Sequence, residues 1–541
     1  MSSINSFIQT ILKTDSTPAP SVLSKVTLSN NVKAKLLSYQ EPHVLKLVNI
    51  LLKHKIALDN SDTGIGKSYA GIASGMELGK RFFIIAPKST MYSWRNVVEY
   101  MGASCYDIVN YETAKNGKTY VNSRYLTRKK SPYISLVEPS PHDPLKLVHK
   151  WKLPSDAMII IDEAHKCKGS NTDIGRFILS TKQLIEKKIP VLLLSATICE
   201  KIQDMRIPFY LFGILPTIRE FKGYIRKLVL QYPQYKTAPK RHFEIRLGDA
   251  RKAQLAYETS RNNNQALMVY EEIKEYTSRI RIKDLGTRFP ANQWYAQLYN
   301  ADDANEIEEM HQRIAYLKER LRENPHSNHL ARIQKLKQEI ELRKVPIFLE
   351  QAEEYLREGN SVIIFVNYLD TLHMLTQLLN IRCQIYGGQS VLERQEAIDM
   401  FQSNREKIII CQMKAGGVGI GLHDLTGDHP RVTLLNYPDQ GSALLQALGR
   451  APRIGAKSAV RQRIICVTSG DNKFSYEKKI MQNINRKLTN ISAINDKDLD
   501  CYKRDVKKMI KKKPITVAEI VDDPTDDNTG SEAETESEDL N

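Results

Sequence analysis

The sequence predicts an α/β fold of two parallel-sheet lobes, with a helical insertion between them and a disordered acidic C-terminal tail. Three observations predict it. Seven apolar runs of strand length, Phe82–Ala86, Met158–Ile161, Val191–Leu194, Val362–Val366, Ile408–Cys411, Val432–Leu435 and Ile464–Val467, do not alternate with polar residues. That is the pattern of strands buried on both faces of a parallel sheet. Helical patterns lie between the runs, giving repeated strand–helix units. The runs fall into two groups, 35–215 and 346–490, so two lobes are the economical arrangement.

The 541 residues are enough for several domains and a large core. Residues 1–34 form an N-terminal extension with a Thr-Pro-Ala-Pro linker at 17–20, and no secretory leader is expected there. The first lobe, 35–215, opens on Thr63-Gly64-Ile65-Gly66-Lys67-Ser68, a phosphate-binding loop. Its backbone N–H groups cradle phosphates, Lys67 reaches the β/γ-phosphates and Ser68 offers a hydroxyl to Mg²⁺. The strict pattern has Gly at position 61, where this chain has Ser61. Asp162 and Glu163 follow the run Ile159-Ile160-Ile161 at a strand end, where ligands of open α/β sheets bind. Asp162 is expected to hold Mg²⁺ and Glu163 to orient or deprotonate the attacking water. Together these residues point to a nucleoside triphosphatase using Mg²⁺. The polar, basic segment 112–155 is expected to be a surface excursion.

The segment 216–345 is expected to be a helical linker. Ile307, Met310, Ile314, Leu317 and Leu321 repeat at alternating spacings of three and four, Asn324-Pro325 interrupts them, and Ile333, Leu336 and Ile340 resume. This is a charged helical hairpin. The second lobe, 346–490, ends on Gln446-Ala-Leu-Gly-Arg450-Ala-Pro-Arg453. A fixed cation there would meet charge developing on the γ-phosphoryl, and a finger on one lobe completing a site on the other couples hydrolysis to lobe closure. Residues 491–541 form a basic and then acidic tail.

The formal net charge is +17, and removing the nine acids of 522–541 leaves +26 on the rest. So basic a body favours a polyanionic partner, most simply nucleic acid. Seven scattered cysteines without a C-x-x-C pair argue for reduced thiols and against a zinc site or disulfide framework. The cysteine pattern leads to the expectation of an intracellular setting, nucleus or cytoplasm, and no segment approaches a membrane span.

As an ordered set these motifs resemble superfamily 2 helicases and translocases, with two RecA-like lobes, and within them the Swi/Snf-type ATPases, in a compact form resembling those of large DNA viruses. Further matches are Leu37-Ser38-Tyr39-Gln40, Ile85-Ala86-Pro87-Lys88-Ser89-Thr90, Asn110-Tyr111-Glu112-Thr113, His165 after the acidic pair, Ser195-Ala196-Thr197, Ile385-Tyr386-Gly387-Gly388 and Lys414-Ala415-Gly416-Gly417-Val418-Gly419. The resemblance covers about 35–215 and 346–490. Ser195-Ala196-Thr197 is the general helicase form rather than the Thr-Gly-Thr usual in the subgroup.

The resemblance implies a role for each matching position. Gln40 reads adenine, which makes ATP the implied nucleotide, and Gly419 lies at that nucleotide. Lys88, Ser89, Thr90, Asn367, Tyr368, Lys414, Ala415 and Gly416 contact nucleic acid. Ser195, Thr197 and Gln446 couple nucleotide state to grip. Arg450 and Arg453 complete the catalytic set of Lys67, Asp162 and Glu163. The implied activity is an ATP-dependent motor on nucleic acid, DNA ahead of RNA, working with transcription, replication or repair machinery. The alternatives are a strand-separating DNA or RNA helicase and a non-catalytic scaffold with a vestigial ATP site. A viral origin would place it in a viral factory or virion.

Overall fold

A computed structural model describes residues 27–122, 127–137, 148–167, 169–286, 290–324, 328–416, 419–468 and 476–496. The linker at 17–20, the lysine cluster around 507–513 and the acidic tail fall outside the described residues, as do Gly417 and Val418.

Sixteen strands occur among the described residues. They are β1 (Ile56–Asp59), β2 (Arg81–Ala86), β3 (Cys105–Asn110), β4 (Lys118–Tyr120), β5 (Arg128–Lys130), β6 (Ile134–Val137), β7 (Val148–Trp151), β8 (Ala157–Asp162) and β9 (Val191–Leu194), then β10 (Thr277–Ser278), β11 (Asn292–Asn300), β12 (Ser361–Val366), β13 (Gln384–Ile385), β14 (Ile408–Gln412), β15 (Arg431–Asn436) and β16 (Val460–Thr468). One six-stranded sheet has the order β10-β1-β9-β8-β2-β3 and the other β11-β16-β15-β12-β14-β13. Every pairing within both is parallel. The two lobes are RecA-like sheets flanked by helices.

All seven apolar runs are strands, and their side chains are almost wholly buried because helices cover both faces. Within the first sheet β9 lies between β1 and β8. The phosphate loop after β1, the acidic pair ending β8 and Ser195 after β9 are therefore neighbours at one edge of the lobe.

Three expectations about organisation change. The 216–345 segment does not stand between the lobes as a helical unit. Its first part ends in β10, the edge strand of the first sheet, and β11 joins the second. The hairpin helices Ala304–Glu323 and His329–Leu342 bury Ile307, Met310, Ile314, Leu317, Ile333 and Ile340 against one face of the second sheet. The 112–155 segment is more than a surface excursion. It holds the antiparallel pairs β4–β5 and β6–β7, and buried Trp151 stacks on Phe177 with centroids 5.4 Å apart. Third, position 490 falls inside a helix, Tyr476–Asp496. Its Met481, Ile484, Leu488 and Ile491 pack in the second lobe, whereas Ala493 and Ile494 join the first lobe's core. Asn495 closes the crossing, accepting from Asn60 Nδ2 at 3.2 Å and donating to Ala196 O at 3.0 Å.

Candidate nucleotide site between the lobes

The phosphate loop leaves β1 and turns twice through backbone that only glycine adopts readily, at Gly64 (φ +83°) and Gly66 (φ +90°). The helix Lys67–Glu77 then starts, so its unpaired N–H groups face the loop, an arrangement suited to phosphate. Lys67 Nζ donates to Ser61 O and Asp62 O, both at 2.9 Å, bridging the loop's base. Burial lowers this ammonium, and the surrounding carboxylates Asp59, Glu163, Asp62 and Asp162 oppose the shift.

Ser61, standing where the strict pattern has glycine, is wholly buried. Its Oγ accepts from Ile280 N at 2.9 Å, tying the loop to the chain just past β10. Below it, His43 bridges Asp59 Oδ2 at 3.1 Å and Ser278 Oγ at 2.8 Å. Sequence reasoning missed this buried support, since its residues come from three distant segments.

Gln40, expected to read adenine, has its amide engaged by protein. Nε2 donates to Ile65 O at 3.2 Å and Gly66 O at 3.3 Å, and Oε1 accepts from Leu37 N at 3.0 Å. Here it braces the loop together with Tyr39, whose hydroxyl donates to Ile65 O at 2.8 Å.

Asp162 Oδ2 accepts from Trp94 Nε1 at 2.8 Å and from Thr90 Oγ1 at 3.4 Å. Burial raises this carboxyl and the adjacent Glu163 charge raises it further, a condition that a divalent cation relieves. Glu163 has a positive φ of 55° and meets His165 Nδ1 at 3.1 Å. Burial alone would raise the Glu163 carboxyl. The hydrogen bond and charge of His165, then Lys67 and Arg450, overcome burial and hold it low. Glu163 is therefore an anion suited to orienting water.

The second lobe reaches this point through Gln446 on the helix Gly441–Leu448. Its Nε2 lies 3.3 Å from Glu163 Oε2 and 3.1 Å from His165 Nε2. His165 Nδ1 lies 3.2 Å from Ser195 Oγ, so three of the expected coupling and catalytic residues share one imidazole. Thr197 N donates to Ser195 Oγ at 3.3 Å, while its own buried Oγ1 has no partner among the described residues. In the sequence His165 is only a continuation of the acidic motif, and the structure makes it the hub. Glu200, also missed, accepts from Ser442 N at 2.8 Å and from its hydroxyl, capping the same helix from the first lobe.

Arg450 is buried and donates to Gln446 O at 2.8 Å and Ile420 O at 3.2 Å, within its own lobe. Arg453 packs directly on the phosphate loop, where a Cβ added at Gly64 would lie 3.1 Å from its Cγ. Its Nε is buried with no partner among the described residues. Burial and the neighbouring Arg450 charge push the guanidinium down to about 9. A half-buried guanidinium with no partner among the described residues, packed against a phosphate loop, fits an anion, so the residues present suit a nucleoside triphosphate.

The expected nucleic-acid contacts divide. Lys88 is exposed and Ser89 half-buried on a short turn after β2, but Thr90 is buried and faces Asp162. Gly419 (φ +78°) packs on Thr90, where an added Cβ would meet Cγ2 at 2.2 Å, so it joins the lobes rather than lining the loop. Ala415 and Gly416 are buried, Gly416 against Cys411 and Phe365, which leaves Lys414 exposed. Asn367 and Tyr368 are held through their backbone N–H groups, each donating to Glu341 Oε1 at 2.9 Å. With Lys414 they line one cleft.

Residues 346–455 match the family model described as the helicase conserved C-terminal domain. The chain is 52% identical over 503 residues to a protein of Acanthamoeba polyphaga mimivirus provisionally named an ATP-dependent RNA helicase, covering 93% of this chain and 91% of that one. It is 30% identical over 139 residues to the chromatin remodeling factor mit1 of Schizosaccharomyces pombe, covering 25% of this chain and 9% of that protein. It is also 30% identical over 197 residues to the ISWI chromatin-remodeling complex ATPase ISW2 of Saccharomyces cerevisiae, covering 33% and 17%. Among solved structures, the Sulfolobus solfataricus SWI2/SNF2 ATPase core in complex with dsDNA aligns at 18% identity and TM-score 0.31, covering 81% of this chain and 90% of that one. Dbp5 of S. cerevisiae bound to RNA and ADP BeF3 aligns at 13% identity and TM-score 0.42, covering 86% and 92%.

Proposed function

The chain belongs to the superfamily 2 helicases, in their Swi/Snf-like branch, and on that premise we propose that it is a nucleic-acid-stimulated ATPase that translocates on duplex DNA. The observation that carries this reading is the contact of Gln446 with Glu163 and His165 across the lobes. One side chain of the second lobe touches both the water-orienting carboxylate and the imidazole bonded to Ser195. Whatever nucleic acid does to the angle between the lobes is thereby felt at the hydrolytic centre.

The phosphate loop and Lys67 grip the β- and γ-phosphates. Asp162 and Ser68 would hold Mg²⁺, whose charge would offset negative charge developing on the phosphates. Glu163, kept anionic, orients the attacking water. Arg453 meets charge on the γ-phosphoryl from the other lobe, and Arg450 fixes the helix turn that presents it. Grip on the polyanion is through backbone phosphates at Lys88, Ser89, Asn367, Tyr368 and Lys414, and so is independent of sequence.

Duplex DNA is favoured by the +26 body and the branch to which the chain belongs. The mimivirus relative's name favours a second reading, in which the track is RNA. A transcription or replication setting in the host cell accords with either. The test is steady-state ATP turnover without nucleic acid and with duplex DNA, single-stranded DNA or RNA. Stimulation by duplex DNA supports the translocase. Stimulation by RNA alone replaces it with the RNA helicase, and no stimulation by any of the three rejects both.

A further inference from the structure

The hairpin of helices Ala304–Glu323 and His329–Leu342 is charged on its outer side, and two of its charged residues, Lys318 and Lys337, line a cleft. The cleft has a volume of about 390 Å³, with walls from the hairpin, the segment 436–440, the lobe-spanning helix Tyr476–Asp496 and the loops bearing Asn367 and Lys414. Four lysines line it: Lys318 and Lys337 from the hairpin, Lys414, and Lys487 from the lobe-spanning helix. A single carboxylate, Asp439, lines it too. Lys337 Nζ donates to both Asp439 oxygens, at 2.6 and 2.5 Å, and Lys487 Nζ donates to Asp439 O at 2.6 Å. Lys318 and Lys414 have no partner among the described residues. Desolvation, together with the Lys337, Lys487 and Arg322 charges, lowers the Lys318 ammonium, and Asp439 opposes this.

We propose that this cleft is a phosphate-gripping groove for the nucleic-acid backbone, in which hairpin lysines Lys318 and Lys337 and Lys487 extend the path begun at Asn367, Tyr368 and Lys414. The proposal rests on the motor reading. Four cations converging on one concavity are mutually repulsive unless a polyanion enters, and one carboxylate cannot neutralise them. Tyr368 and Tyr437 line the same cleft beside the lysines. Tyr437 is fixed from behind, its hydroxyl donating to Glu477 Oε1 at 2.8 Å and Lys344 Nζ lying 4.3 Å from its ring centre. The walls are preorganised, because buried Glu341 holds the 367–368 backbone and buried Lys344 ties Asn436 at 3.1 Å to Glu477. The Asp439–Lys337 bridge acts as a competitor that a phosphate displaces.

The experiment measures binding of labelled duplex DNA and labelled single-stranded RNA to the full chain across salt concentrations. A triple variant, Lys318→Ala with Lys337→Ala and Lys487→Ala, should lose affinity by on the order of 10²-fold at low salt. Its log–log salt slope should fall by about 2.7 for duplex DNA or about 2 for a single strand, the values for three lost phosphate contacts. Lys335→Ala, on the same hairpin helix but outside the cleft, should leave the slope unchanged. Asp439→Asn should move affinity the other way and tighten binding, an outcome that misfolding cannot imitate. Wild-type binding with unchanged slopes in the triple variant and unchanged affinity in Asp439→Asn would overturn the groove and leave the motor reading standing. Failure of the wild-type chain to bind either probe would overturn both. The probe whose slope changes identifies the strand type that the groove takes.

Discussion

Glu163 and its neighbours decide the chemistry at the scale of single residues. The carboxylate is held anionic by His165, Lys67 and Arg450 against the effect of burial, so its contribution is to direct water through charge and geometry. Glu163→Gln keeps the shape and removes the charge. It should bind ATP with near wild-type affinity and lose turnover by at least about 10²-fold, the scale of losing a positioned acid–base group. Equilibrium nucleotide binding and single-turnover hydrolysis check the two halves, and full turnover would remove Glu163 from this role. Gln446→Ala cuts the cross-lobe contact while leaving both lobes' own cores intact. The ratio of nucleic-acid-stimulated to unstimulated turnover should fall toward one, and a preserved ratio would place the coupling elsewhere.

Among the elements, the helix Tyr476–Asp496 and the hairpin owe their positions to buried charge. Glu477 is 1% exposed and accepts from Val467 N at 2.6 Å, from Tyr437 and from Lys344, which is itself fully buried. Burial raises Glu477, but Lys344 and His311 outweigh it and hold the carboxyl down at about 2. A carboxylate whose folded pKa is depressed stabilises the fold above its unfolded value, near 4.5, and loses that contribution as pH falls toward 2. Glu477→Gln should therefore destabilise the second lobe by about 3–5 kcal/mol, because it strands the Lys344 charge. Its loss of thermal stability relative to wild type should shrink as pH drops from 5 toward 2. An equal deficit at all pH values would mean that the charge is irrelevant. None of this was legible in the sequence. Lys344 and Glu477 lie 133 residues apart and look like ordinary surface charges on amphipathic helices. The central strands were legible because continuous apolar runs such as Ile159-Ile160-Ile161 have no other use. Strand β1 was missed because four residues ending in Asp59 carry too little pattern, and β11 because Gln293, Gln297 and Asn300 interrupt its apolar character. Gln40 and Thr90 were assigned by motif alone, and their hydrogen bonds depend on neighbours that only the fold brings together.

On the scale of the whole molecule, side-chain hydrogen bonds among the described residues join the two lobes at Gln446 with Glu163 and His165, at Glu200 with Ser442, and at Asn495 with Asn60 and Ala196. They surround the phosphate loop, so a change in the angle between the lobes moves several catalytic contacts together. The +26 body should make nucleic-acid binding steeply salt-dependent, falling by roughly 10³-fold or more from 50 to 200 mM salt if about six phosphates are neutralised. Removing 522–541 takes away nine like-signed charges, and binding at low salt should tighten when measured by titration. The central claim is that the second lobe completes the ATP site through Arg453, whose buried Nε has no partner among the described residues and whose stem rests on Gly64. Its most direct test is steady-state ATP turnover of Arg453→Ala at saturating nucleic acid, with ATP affinity measured on the same sample. The account predicts retained ATP binding and a loss of turnover of about 10³-fold or more. Wild-type turnover in that variant would contradict it.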